Sequence, residues 1–335
     1  MCETDGKKEE TKMNRNTLHT APCVYIIETD GTDLKRRKRG FASNKKELIL
    51  PTIYATFEAK ETDLLAINKT QDIVSLVIDG KEAKFSKAAP YYLPKEGSYS
   101  AVITLATSTV TPSMFNDVQI IKTVKFNDEI EIIGSSAFQD CRKLEKVTFN
   151  DNLKKIEGWA FHWCYYLHGD LVIPDSVEYI GYAAFMRCNF RSITIGYGNP
   201  DIETHSFREC HACQALIIKS GQIKYEAFTN IWSLQHIYFG EEVSFSNSLG
   251  NRFFDTYDIK TITCYAKEAP LIDNRVFQFN RNTTWDETSK LRFPKGSDYS
   301  TWMQTDAYYL GYWGWTAEEF DPEKEPIDKI EINYM

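Results

Sequence analysis

Apolar side chains recur along this chain with a period of about 23 residues, far longer than the 3.6 of a helix or the 2 of a strand, and therefore the length of a whole supersecondary unit. Phenylalanine marks the period at Phe115, Phe138, Phe161, Phe185, Phe207, Phe228, Phe254 and Phe277, with successive spacings of 23, 23, 24, 22, 21, 26 and 23. Five residues ahead of each stands an aliphatic residue: Val110, Ile133, Ile156, Ile180, Ile202, Ile223, Leu249 and Ile272. A third column is a period-two pair, the mark of a short strand with one face buried: Val124/Phe126, Val147/Phe149, Leu171/Ile173, Ile193/Ile195, Leu216/Ile218, Ile237/Phe239, Ile262/Cys264 and Leu291/Phe293. A small residue precedes the phenylalanine in most turns (Ala137, Ala160, Ala184, Ser206, Ala227), where the backbone must pass close to its neighbour. Phe253 and Val276 break that column, so the repeat is expected to become irregular after about residue 245.

One such unit buries too few side chains to offset the ordering of its own backbone, so it needs a turn above and a turn below. The pattern predicts a stacked, quasi-one-dimensional solenoid of about eight turns. Its cysteines fit the same frame. Cys141, Cys164, Cys188 and Cys210 each follow the repeat phenylalanine by three residues, at a position that holds Val118, Ile231 and Tyr257 in other turns, and free cysteine behaves as a small hydrophobe. Cys210 and Cys213 also make a C-x-x-C with His205 nearby, the spacing of a redox pair or half a zinc site. Cys213, however, takes the place that Leu144, Leu167 and Leu234 take elsewhere, and no second C-x-x-C completes a cage. The expectation is buried structural thiols, with no metal and no cofactor.

Residues 132–149, IIGSSAFQDCRKLEKVTF, and 171–195, LVIPDSVEYIGYAAFMRCNFRSITI, resemble the BspA-like leucine-rich repeats of bacterial surface proteins. In that family the unit runs strand, I-P-x-S-V-x-x-I-G, x-x-A-F, x-x-C, then the next strand. The resemblance covers about 108 to 293, and Glu157, Glu203 and Lys224 stand where the family's unit has glycine. Residues 291–313 are similar to that family's end segment and 77–105 to its β-rich lead-in. The resemblance implies a leucine-rich-repeat-type solenoid with short parallel strands on one face and loops or short helical turns on the other. It also implies display outside the cell, a role in adhesion or ligand binding, and no catalytic residues.

The remaining chain divides around the repeat as a flexible leader (1–22), a small β-rich domain (23–107), an aromatic C-terminal cap (294–316) and an acidic tail (317–335). Strands are expected near CVYIIE, TIYATFEA, DIVSLVID and SYSAVITL, with turn signals at Asp30-Gly31, Asp79-Gly80 and Glu96-Gly97; an immunoglobulin-like sandwich is one arrangement of them. The tail carries seven acids against two bases and is expected to be extended. No apolar run approaches the ~18 to 20 residues of a bilayer span. Thirty-nine basic against 47 acidic side chains, a net charge of −8, argue against a chain-wide nucleic-acid role. The start Met1-Cys2-Glu3-Thr4-Asp5 reads as a mature lipoprotein whose signal was replaced by methionine, which makes Cys2 a lipid anchor and the only membrane attachment; an incidental second-position cysteine is the alternative.

Period two puts Lys125, Thr148, Val172, Thr194, Ile217, Tyr238, Thr263 and Arg292 on the open face of the strands. Val172, Ile217 and Tyr238 make its middle apolar and nominate a binding patch, although β-branched and aromatic residues favour strands for their own sake. The run Lys35, Arg36, Arg37, Lys38 and Arg39 can hold a polyanion or simply form a solvated loop. Trp302, Trp313 and Trp315 with Tyr308, Tyr309 and Tyr312 suit a carbohydrate platform or, past the final turn, an apolar end-cap. His162, His168, His205, His211 and His236 are scattered over successive turns without a repeated partner acid, and no nucleophile-elbow, phosphate-loop or H-E-x-x-H pattern occurs. The expected protein is a monomeric, non-enzymatic surface receptor for an extracellular protein or glycan. A structural spacer acting through the N-terminal β region, or a polysaccharide hydrolase with paired acids across turns, are the other readings.

Overall fold

The computed structural model describes residues 28–29, 34–35, 49–246, 254–255, 259–271, 289–303 and 316–332. The chain divides into two compact units, 1–49 and 50–335. In the first, Glu28–Thr29 and Leu34–Lys35 pair antiparallel, Glu28 opposite Lys35. Cys2, Arg36, Arg37, Lys38, Arg39 and the side chain of Lys35 lie outside the described residues, as do Tyr308, Tyr309, Tyr312, Trp313 and Trp315.

The second unit opens with β1 (Thr52–Ala59), β2 (Ile73–Ile78) and β3 (Gly97–Leu105), three of the four expected lead-in strands. β3 pairs antiparallel with both β1 and β2. Asp79-Gly80 is a two-residue turn with both residues left-handed, φ 47° and 74°, which suits the twist of the hairpin it closes. β1 then pairs antiparallel with the first repeat strand, β4 (Ile121–Phe126), setting Ala55 opposite Val124 and Ile53 opposite Phe126. β4 pairs parallel with β5 (Lys146–Thr148). A single six-stranded sheet therefore runs across residue 107, where the immunoglobulin-like reading of 23–107 would have two sheets closed on each other. The physical reason is that the first turn of a solenoid exposes unpaired backbone on its outer edge, and β1 supplies the partner.

The later repeat strands, β6 (His168–Ile173), β7 (Asn189–Ile195), β8 (Ala215–Ile223), β9 (His236–Phe245), β10 (Thr261–Cys264) and β11 (Lys290–Pro294), form one parallel ladder. A second ladder follows the aliphatic column, from Val110 opposite Ile133 through Ile156, Ile180 and Ile202 to Ile223, every one fully buried. In the next rung Ile223 faces Phe245, four residues before the expected Leu249, so the register departs from the pattern where the 26-residue spacing begins. Gly134 lies beside the preceding turn so closely that a Cβ there would sit 2.4 Å from the Val110 carbonyl oxygen. Helix is confined, among the described residues, to Ser300–Met303 and one short 3-10 turn.

Inside, the repeat phenylalanines make a continuous spine. From Phe115 through Phe138, Phe161, Phe185 and Phe207 to Phe228 the ring centroids are 4.9, 5.1, 5.2, 5.2 and 5.1 Å apart, with interplanar angles of 8° or less. That spacing is the rise of one strand, ~4.8 Å, so each ring lies over the same ring of the next turn. The backbone of Phe254 continues the series opposite Phe228; its side chain and Phe277 lie outside the described residues. The cysteine column has a polar use as well. The thiols of Cys141, Cys164, Cys188 and Cys210 donate to the carbonyls of Phe115, Phe138, Phe161 and Phe185, at 2.9 to 3.2 Å, a second bond to acceptors that each already take a backbone N–H.

Candidate functional site

Placed in the structure, the expected strand-face row does not stay open along its length. Lys125 and Thr148 are exposed and Val172 is 61% exposed, but Thr194, Tyr238 and Arg292 are half-buried, Ile217 is 6% exposed and Thr263 is fully buried. The apolar patch of Val172, Ile217 and Tyr238 is therefore corrected: Ile217 is core, closed in by its register neighbours Thr194 and Tyr238. The hydroxyl of Thr263 is buried without a hydrogen-bond partner.

At the far end of the row the acidic C-terminal segment, expected to be extended, is docked on Arg292 and its neighbours. Residues Thr316–Phe320 form β12, parallel to β11, and set Glu318 opposite Arg292 in the same row. Arg292 binds Glu318 at 2.9 Å and, with its other nitrogen, Glu325 at 2.9 Å, and its guanidinium lies 5.1 Å over the Phe320 ring. Further along, the Tyr265 hydroxyl donates to the Glu325 carbonyl at 2.9 Å, and the Phe320 ring meets Tyr265 edge-on at 5.0 Å. Two turns back, Asp328 takes Lys219 at 2.7 Å and the Tyr197 hydroxyl at 3.0 Å. The Lys219 hydrogen bond, reinforced by that of Tyr197, holds the Asp328 carboxyl below the usual range; hydrogen bonds from Lys290 and then Arg292 do the same for Glu318. Opposite charge explains the docking: a strongly acidic segment returns over the one part of the strand face that carries Lys219, Lys290 and Arg292.

The six described cysteines are chemically quiet. Burial pushes the Cys213 thiol up to about 12 and Cys264 up to about 11, and raises Cys141, Cys164, Cys188 and Cys210 still further, so none supplies a thiolate at neutral pH. Cys210 and Cys213 bond to different carbonyls, those of Phe185 and Ala215. Among the described residues no group of three or more His, Cys, Asp or Glu is arranged to hold a metal ion. In the expected cap, Trp302 and Tyr299 are buried and packed on each other, with the Trp302 ring edge-on to Phe239.

Two features escaped the linear reading. His205, one of the histidines without a partner acid repeated from turn to turn, binds Glu226 at 2.7 Å and Tyr182 at 3.1 Å, each from a neighbouring turn. The second is the corner that leads into each strand, where each turn reverses. Two residues before and two residues after each repeat phenylalanine from Phe115 to Phe228 the backbone is left-handed, as at Trp159, Trp163, Ala183, Arg187, His205 and Glu209. The position four residues after the phenylalanine is a surface column: Gln119, Arg142, Tyr165, Asn189, His211 and Trp232. The same period that located the core located this column too, but its residue types vary from turn to turn and carry no hydrophobic signal.

Parallel strands stacked one per turn of about 23 residues, with tight reversals ahead of each strand, define a β-solenoid of the leucine-rich-repeat type. The family model described as BspA type leucine rich repeat region matches residues 99–212 and 169–284 in six copies, more than half of the 335 residues, and the chain belongs to that family. No curated protein matches it. Among solved structures the chain is similar to a leucine-rich repeat protein from Bacteroides ovatus, at 18% identity over 69% of this chain and 70% of that one, with a TM-score of 0.39. It is also similar to the pneumococcal vaccine antigen PcpA, at 15% identity over 52% of this chain and 63% of that one, with a TM-score of 0.24. A leucine rich cell surface protein from Faecalibacterium prausnitzii matches at 15% identity over 61% and 87%, with a TM-score of 0.23.

Proposed function

We propose that the chain is a non-enzymatic recognition protein of the bacterial cell surface, which binds an extracellular protein or glycan through the open half of its strand face. Membership of the BspA-type repeat family supports a protein-interaction role and a surface location. The observation that carries the choice of surface is the contrast along one row: Lys125, Thr148 and Val172 face solvent on consecutive turns, whereas the row from Ile217 onward is closed and partly occupied by the chain's own C-terminal segment. Attachment through a lipid on Cys2 belongs to the same reading, and mass spectrometry of the native N-terminus tests it. For the surface, the test is the full chain carrying Thr148→Asp and Val172→Asp, applied to a panel of extracellular-matrix proteins and glycans. Both positions are exposed, so the variant keeps its fold; loss of binding supports the open row, and undiminished binding removes it.

A further inference from the structure

Three consecutive turns build a cleft of about 330 Å³ at the corner that leads into the strands, lined by Tyr165, Arg187, Cys188, Asn189, Glu209 and His211. We propose that this cleft binds a neutral saccharide, independently of whatever the strand face takes.

The first reason is the backbone. Two residues after the repeat phenylalanine the left-handed position is filled by Asp117, Asp140 and Asn230 in outer turns (φ 58° in each), the residue types that reach this region most readily after glycine. In the three turns that make the cleft the same position holds Trp163, Arg187 and Glu209, at φ 64°, 64° and 62°. Bulky side chains are strained there, and at this position the strain falls in the turns of the cleft, which points to a use for those side chains.

The second reason is how the side chains are held. Trp163 is flanked by the guanidinium of Arg142 from the turn before, at 5.4 Å, and that of Arg187 from the turn after, at 5.3 Å. Arg187 Nε donates to Glu209 Oε2 at 2.6 Å, so the charges at the floor cancel locally. His211 Nδ1 donates to the Asn230 carbonyl at 2.8 Å, which leaves Nε2 as the acceptor, and the imidazole stacks on Trp232 with centroids 4.0 Å apart. Tyr165 stacks on Trp163 and is exposed, as is Trp232 on the far side of His211.

Flat apolar faces beside fixed planar groups of balanced charge, a guanidinium, a carboxylate, an amide and an imidazole, suit a ligand with apolar C–H faces and rings of hydroxyls. A pyranose sugar has that chemistry; a charged ligand would meet an already neutralised floor. The volume lies at the small end of the ~300 to 1,000 Å³ of small-molecule sites.

The test is titration of the full chain with neutral oligosaccharides of glucose, mannose, xylose and N-acetylglucosamine, followed by tryptophan fluorescence and calorimetry. The expected result is saturable binding of at least one, weakened about tenfold or more by Tyr165→Ala and by Trp232→Ala and also by Glu209→Gln, yet unchanged by Val172→Asp. Tyr165 and Trp232 are surface residues, and an unchanged circular dichroism spectrum confirms that their variants fold. No binding of any of these sugars at about 10 mM overturns the proposal. So does binding that survives all three corner substitutions, or a cleft that takes peptides and no sugar.

Discussion

Between Phe115 and Phe228 the interior is a column of rings stacked on rings, each apolar on every side, whereas residues 316–332 are tied to the strand face by Lys219–Asp328, Arg292–Glu318 and Arg292–Glu325. Both regions belong to the same compact unit and both bury parts of it, but by different physics. The spine excludes water, so it is indifferent to salt and pH and fails only when volume is removed. The docked segment relies on ion pairs whose carboxylates stay 35% to 55% exposed, so it is screened by salt and titrates with them. A repeat protein built this way has a rigid scaffold and one covering segment that the solution can loosen.

The largest expected effect lies in the spine. Phe161→Ala removes a ring stacked on both neighbours and should cost about 3–5 kcal/mol in denaturant unfolding. A loss near zero would show that the turns do not depend on the stack. Next comes a pair of substitutions within one row of the strand face. Ile217→Asp buries an unpaired charge and should destabilise by about 3 kcal/mol or more, while Val172→Asp should stay within about 0.5 kcal/mol. Equal effects at the two positions would mean that the row is uniform after all.

Smaller still is the effect at the docked segment. Lys219→Ala should cost about 1 kcal/mol or less, yet raise hydrogen exchange across 321–332 without changing it in β8, and about 1 M NaCl should act in the same direction. Exchange that ignores both would place the hold in Phe320 and Tyr265 alone. The smallest effect is that of pH. Asp328 and Glu318 have folded pKa values below their ordinary ones, so their contribution is complete above the unfolded values of about 4 and is lost as pH falls through the folded ones. Segment protection should therefore be flat from about pH 8 to 5 and fall only below about 4. A transition near pH 6.5 would implicate a histidine instead.

The spine was legible in the chain because its signal is local and repeated. Phe138 and Ile133 identify themselves by recurring in phase, and each misassignment would break several columns at once. The cysteine reading came from the same phase, and the carbonyls their thiols cap follow from stacking one turn on the next. The registers that were misplaced lie where the phase weakens, as with Phe245 in the rung assigned to Leu249. The lead-in strands were legible from alternation and the Asp79-Gly80 turn. Their partner was not, because nothing in residues 52–59 says that they will pair with 121–126.

The amino-acid order alone determined that this chain winds into stacked turns, which residues line their interior and why a single turn cannot stand by itself, since these follow from apolar contacts between chemically equivalent positions. Only the tertiary structure decided which surfaces remain for a ligand. Lys219 and Asp328 are 109 positions apart, and Tyr165, Arg187 and Glu209 lie in three different turns, so their meetings depend on where whole turns and the returning segment come to rest. The charged groups at these contacts recur at no fixed period in the chain, and their partners are chosen by the three-dimensional path.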